Sequence, residues 1–116
     1  MSSFSDNLDV ISNSPIVVKA KMTLLSTEEG GRHTPIKSYI RPNHNFGEPE
    51  NNNFYIGSVE LKKNELFFPG ETKEVIVKFL NVRGLKEMLK VGLTWRIQEG
   101  PTLIGTAEVL EIKDET

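Results

Sequence analysis

Alternation of hydrophobic and polar side chains recurs in short stretches along this chain. The clearest stretch runs from Ile16 to Leu24, where every second residue is hydrophobic and Lys19, Lys21 and Thr23 lie between them. A period of two is typical of a β-strand with one buried face. This stretch is therefore predicted to be a strand that covers a hydrophobic core.

The same kind of pattern predicts several more short strands, separated by turns rich in Gly, Pro and Asn. The further strands are expected at 35–40, 54–61, 75–80, 93–98 and 103–112. The segment 43–53 is predicted to be a loop, and 84–90 at most one or two turns of helix. Short strands with turn signals and no long helix favour an all-β barrel or sandwich.

The inward face of these strands is expected to form one core. The positions predicted to be mostly buried are Val18, Ala20, Met22, Leu24, Val59, Val75, Val77, Phe79, Leu93, Trp95, Ile97 and Val109. On an alternating strand, Trp95 is more typical of a core residue than of a ligand platform. His44 falls in the predicted loop and has no visible partner.

Length and composition are those of one globular domain. The chain has 116 residues, 37% of them hydrophobic and 26% charged, which is enough for a single core. We expect a flexible N-terminal arm at 1–14 and one domain at 15–116. The N-terminus shows no signal peptide pattern, and no apolar run approaches the roughly 20 residues that span a bilayer.

The net charge argues against tight nonspecific nucleic-acid binding, and the absence of cysteine excludes several chemistries. The formal net charge is -2, whereas tight nonspecific nucleic-acid binders are usually basic. The chain contains no Cys, so disulfides, thiolate metal sites and a cysteine nucleophile are impossible. This composition is compatible with a reducing cytoplasm, and we expect a cytoplasmic protein without a membrane partner.

Five motifs occur in an order and spacing that is specific when they are taken together. They are EEGGRHTP at 28–35, YIRPN at 39–43, IGSV at 56–59, FPGE at 68–71 and GLTWRIQEG at 92–100. In this order they resemble the C-terminal barrel, domain III, of the bacterial translation elongation factor Tu family. The resemblance covers about residues 19–112 and implies a closed antiparallel β-barrel, here as a stand-alone domain.

The chain departs from that family at positions of the kind used to bind the T stem of aminoacyl-tRNA. Gln98 and Thr102 replace two arginines of the last motif, and Ile56 replaces a threonine. Losing guanidinium groups removes bidentate phosphate contacts. Arg96 also replaces a small alanine near the family's contact with its GTPase domain. The motifs that form the barrel are thus kept better than those that contact RNA.

Catalytic and cofactor signatures are missing from the sequence. There is no phosphate-binding loop of the G-x-x-x-x-G-K-[ST] type, so no GTP binding is expected. His33 and His44 lack the spacing of metal ligands, and no nucleophile elbow is present. We therefore expect a non-enzymatic protein without a cofactor or metal.

The resemblance implies a binding module whose partner is a protein, with a translation-related origin. The predicted partner-binding residues are Arg32, His33, Arg41, Arg96, Glu99 and Gly100. The alternative for Arg32 and His33 is that they only brace the barrel through hydrogen bonds. The alternative functions are an accessory tRNA-binding translation protein, a small immunity or inhibitor protein, and a plain structural domain.

Overall fold

A computed structural model describes residues 10–48 and 54–113. Most of the predicted N-terminal arm, the end of the predicted 43–53 loop and the last three residues lie outside this part. The described residues form six strands and one short helix: β1 (Ile16–Leu24), β2 (Asn43–Asn45), β3 (Phe54–Glu60), β4 (Thr72–Phe79), α1 (Leu85–Met88), β5 (Thr94–Glu99) and β6 (Thr102–Lys113).

The strands form a closed barrel in the order β1-β4-β3-β2-β5-β6, and β6 pairs with β1. Every neighbouring pair is antiparallel. Closure leaves no full-length strand edge to template aggregation. The predicted all-β class and closed antiparallel barrel are therefore confirmed.

The barrel interior contains the predicted core. All the positions expected to be buried are buried except Leu93, which is half-buried against the core. Three large side chains from the connections complete the core: Ile36, Phe46 and Phe67 are each at most 4% exposed. Hydrophobic burial of both strand and loop residues thus stabilises one continuous core.

Two predictions between β1 and β3 are wrong. Residues 35–40 form no strand: Ile36 and Ile40 make isolated bridges to Phe67 and Val59, and Tyr39 interrupts the extended backbone at φ 72. Conversely, Asn43–Asn45 in the predicted loop forms β2. Asn and His have no preference for strands. The segment is a strand because it pairs with β3 on one side and with β5 on the other.

His44 holds β2 in the barrel wall. Its ring is fully buried, Nδ1 lies 3.0 Å from Trp95 Nε1, and Nε2 lies 3.0 Å from the Gly57 carbonyl oxygen. Because an indole N–H can only donate, Nδ1 accepts and Nε2 carries the proton that Gly57 accepts. This His44 bridge (Trp95, His44 and Gly57) joins β5, β2 and β3, which corrects the expectation that His44 has no partner.

Packing around the His44 bridge requires glycine at position 57. A Cβ there would lie 2.9 Å from Phe79 Cδ1 and 3.1 Å from His44 Nε2. The His44 ring meets Phe79 edge-on with centroids 5.0 Å apart, and Phe46 stacks on Trp95 at 5.1 Å. The polar bridge is therefore enclosed by aromatic rings. In such surroundings hydrogen bonds are stronger than in water, and a buried polar group without a partner is costly.

We expect Trp95→Ala to lower the free energy of unfolding by about 3–5 kcal/mol, because it leaves a large cavity. Trp95→Phe keeps most of the packing but leaves His44 Nδ1 without its donor, at a cost of about 1–3 kcal/mol. Urea denaturation measures both. Val91→Ala, at a side chain 69% exposed, is the control and should change stability by less than about 0.5 kcal/mol. An equally small effect of Trp95→Phe would contradict the bridge.

Acid should destabilise the barrel through His44. Burial lowers the pKa of His44 from 6.5 to about 4, although its hydrogen bond to Gly57 opposes the shift. Between those two values the unfolded chain binds a proton that the folded chain does not. The free energy of unfolding should therefore fall as pH falls, by about 2 kcal/mol between pH 7 and pH 5.

The measurement is urea denaturation of the wild type and of His44→Gln at both pH values. Glutamine retains an amide donor and acceptor but does not titrate in this range. In the variant, the free energy of unfolding should lack the part of the pH dependence that comes from His44. Identical pH dependence in the two proteins would show that His44 does not cause the acid sensitivity.

Candidate functional site

The turn after β1 contains the first half of the EEGGRHTP motif. The backbone carbonyl oxygen of Ser26 accepts hydrogen bonds from the amides of Glu29 and Gly31. The Glu29 carboxylate accepts a hydrogen bond from the Ser26 amide at 2.8 Å. That last bond is the main reason why the pKa of Glu29 is lowered. A Cβ at Gly31 would overlap the Leu25 carbonyl oxygen, so this turn needs a glycine there.

Arg32 follows this turn, and its guanidinium group has several partners. Its guanidinium forms an ion pair with Glu99 at the end of β5. Its Nε donates to the Thr34 carbonyl at 3.1 Å, and Nη2 lies within hydrogen-bond distance of Thr34 Oγ1 and the Pro35 carbonyl. Arg32 thus ties the β1–β2 connection to the β5–β6 turn, as expected of a bracing residue.

The Arg32–Glu99 pair brings together four of the six predicted site residues. Gly100 follows Glu99 in the exposed β5–β6 turn, and His33 follows Arg32 and is exposed. His33 has no hydrogen bond or ion pair within residues 10–48 and 54–113. The contribution of these four residues to partner binding stays a prediction.

Arg96 is half-buried rather than an open surface charge. It lies on the outer face of β5, opposite Asn45 of β2 and Thr106 of β6. Its Nε and Nη2 are buried without a hydrogen-bond partner among the described residues, as is Asn45 Oδ1. Asn45 Nδ2 donates instead to Gln98 Oε1 at 2.8 Å. The cation expected to alter this surface is thus largely covered.

Arg41 precedes β2 in the chain. It is exposed and lines a cavity of about 230 Å³ that is formed mainly by residues of β3, of the end of β4 and of the segment before β1. None of the other five predicted site residues lines this cavity. The grouping of the six predicted site residues on one surface stays a prediction.

The residues that accompany Arg41 in this cavity are not among the site residues predicted from the sequence, where Ile56 stands only as a replacement for a threonine of the family. They include Ile56, which is 55% exposed, Leu80, which is 37% exposed, and the polar residues Ser58 and Lys78. A usable signal was present for Ile56: the alternation of β3 points it outward, where a polar residue is the norm. A large hydrophobic residue at such a position is typical of a contact surface.

A larger cavity of about 650 Å³ lies on the outer face of β1 and β4. Its charges are balanced and mostly paired: Lys19 lies 3.3 Å from Glu74, and Lys73 lies 2.9 Å from Glu65. The hydrogen bond between Lys73 and Glu65 is the main cause that lowers the pKa of the carboxyl and raises that of the amine. These paired charges leave little for a charged ligand to recognise.

No model of a known protein family matches the chain. Within residues 10–48 and 54–113, no group of three or more His, Asp or Glu side chains is arranged to hold a metal ion. The described part of the chain has no helix of the length and hydrophobicity needed to cross a membrane. The resemblance to the elongation factor Tu barrel therefore stays a prediction from the motifs.

The bracing role of Arg32 can be measured in a double-mutant cycle. Arg32→Ala should lower the free energy of unfolding by about 1–2 kcal/mol, because it removes several hydrogen bonds as well as the ion pair. The coupling energy with Glu99→Gln should be about 0.5–1 kcal/mol, since the pair is partly exposed. Arg83→Ala, at an exposed arginine, serves as the control. A coupling energy of zero would contradict the brace.

Proposed function

We propose that this chain is a non-catalytic, protein-binding module that resembles the C-terminal barrel of elongation factor Tu and is translation-related by descent. The observation that supports a protein partner is the outer face of β3, where Ile56 is 55% exposed beside exposed Arg41. Arginine and large hydrophobic side chains together are characteristic of the residues that dominate protein interfaces.

Retained binding of tRNA is the second candidate, and the pairing of Arg32 and the burial of Arg96 weigh against it. Arg32 is paired with Glu99, and two nitrogens of Arg96 are buried. Phosphate recognition needs several unpaired cations on one surface. With Arg32 paired, Arg96 half-buried and a net charge of -2, the described part of the chain offers few such groups.

An immunity or inhibitor protein would also act by binding a protein, so it belongs to the same proposal. A structural domain cut from a larger chain would need no independent partner. The identity of the partner separates these cases. If the partner is a toxin or an enzyme, the chain is an inhibitor. If the partner is a component of the translation apparatus, the chain has kept a role in translation.

The proposal is tested with the full chain immobilised on a resin and incubated with lysate of the source organism. Bound proteins are identified by mass spectrometry, and each candidate is purified and titrated by calorimetry. We expect a saturable complex of defined stoichiometry. In parallel, a gel shift with aminoacyl-tRNA over a salt series should show no complex.

The opposite outcome would establish the tRNA alternative. A tRNA shift that weakens steeply with salt and disappears in Arg96→Ala indicates release of counterions from phosphate contacts. Arg83→Ala is the matched control, because Arg83 is exposed and lies outside the site residues. Absence of any saturable protein complex would reject the protein-binding proposal.

A further inference from the structure

Two neighbouring rows of outward side chains run across β3, from the residues at and before β2 on one side to β4 and the residue after it on the other. Ile40 bridges Val59 and Asn43 pairs with Ile56, and this common register places Arg41 beside Ser58. Ser58 in turn pairs with Lys78 of β4. Adjacent residues across paired strands point to the same face, so these three form a polar row.

The second row contains Asn43, which pairs with Ile56, and two apolar side chains, Ile56 and Leu80. Ile56 lies two residues before Ser58 on β3, and its carbonyl accepts a hydrogen bond from the Leu80 amide at 2.9 Å. Two residues along a strand separate the rows by about 7 Å. Both rows border the cavity of about 230 Å³ that Arg41 lines, called here the Arg41 cavity.

The Arg41 cavity is positively charged although the protein has a net charge of -2. Its described lining includes Arg41 and Lys78 but neither Asp nor Glu. Lys78 shares its charge with Glu60 at 3.3 Å. Arg41 makes no ion pair or hydrogen bond with the described residues. Among the described residues, Arg41 is therefore a cation of this cavity without an ion-pair partner, and it lies next to exposed apolar side chains.

Volume restricts what such a cavity accepts. Pockets for drug-sized molecules have about 300–1,000 Å³, and the Arg41 cavity is smaller and open. One or two side chains of a protein segment fit this size. A single guanidinium matches a single carboxylate, which it can bind through two parallel hydrogen bonds.

We propose that the Arg41 cavity binds a segment of a partner protein in which an Asp or Glu stands next to a large apolar residue. The carboxylate pairs with the Arg41 guanidinium, and the apolar side chain packs on Ile56 and Leu80. This inference rests on the proposed protein-binding function and names the chemistry that the partner must present.

Polyanions fit the Arg41 cavity less well than such a segment. A nucleic-acid backbone presents successive phosphates and needs several unpaired cations along its path, whereas Lys78 is already paired with Glu60. A phosphate backbone also gains nothing from the exposed Ile56 and Leu80. Charge and apolar surface together therefore favour a protein segment.

The test selects random dodecapeptides displayed on phage against the intact, immobilised chain. Selected peptides should be enriched in Asp or Glu adjacent to Leu, Ile, Phe or Trp. A fluorescein-labelled synthetic peptide of the enriched sequence is then titrated by anisotropy. Arg41→Ala and Ile56→Ser should each weaken its binding on the order of tenfold.

Two matched controls keep the test specific. Arg83→Ala removes an exposed arginine, and Val91→Ser removes an exposed valine; neither residue lines the Arg41 cavity. Both should bind the peptide as the wild type does. Thermal unfolding of all four variants should match that of the wild type, which shows that a loss of binding is not a loss of fold.

Several results would overturn the inference. Peptides without acidic and apolar enrichment, or peptides that bind all four variants equally, would reject it. Labelled tRNA that binds through Arg41 but not Ile56 would assign the cavity to phosphate. A dimer in light scattering that Ile56→Ser dissociates would assign it to a second copy of the chain.

Binding of the natural partner to the variants tests this inference separately from the proposed function. A protein recovered from lysate that binds Arg41→Ala and Ile56→Ser as tightly as the wild type would overturn the Arg41 cavity as its docking site. The protein-binding function would then stand, with another surface responsible. Loss of that partner in both cavity variants, but in neither control, would support both conclusions.

Discussion

The barrel depends on the hydrogen bonds that run from the Trp95 indole through the His44 imidazole to the Gly57 carbonyl. β2 is only three residues long and lies between β3 and β5, so its backbone pairing alone is brief. The His44 bridge adds a buried, fully satisfied connection across both neighbours. Since a ring of strands closes only when each wall position is filled, this bridge holds the shortest strand where closure needs it.

The same arrangement connects the interior with the outer surface. Gly57 accepts the hydrogen bond from His44 inside the barrel, and its chain neighbours Ile56 and Ser58 point outward into the two rows of the Arg41 cavity. The core therefore positions the proposed contact residues through a short, well-packed stretch of β3. A rigid scaffold of this kind reduces the entropy lost when a partner binds.

Polar motifs at the barrel ends have a different role. Arg32 uses its donors on Glu99, Thr34 and Pro35, and Glu29 uses its carboxylate on the Ser26 amide. These groups hold the connections in place, so Arg32 and Glu29 of the EEGGRHTP motif contribute to the stability of the fold. The surface proposed for a partner is a different one, formed by the exposed side chains of Arg41 and Ile56.

Local pattern by itself determined the long strands β1, β3, β4, β5 and β6, the buried face that includes Trp95, and the all-β class, because alternation records which side of a strand meets the core. Tertiary structure alone decided β2, the partners of His44 and the pairing of Arg32 with Glu99. Each of those joins residues far apart in the chain: 51 positions separate His44 from Trp95, and 67 separate Arg32 from Glu99. A polar segment such as Asn43–Asn45 has no local preference for a strand, and it becomes one because two neighbouring strands hydrogen-bond to it.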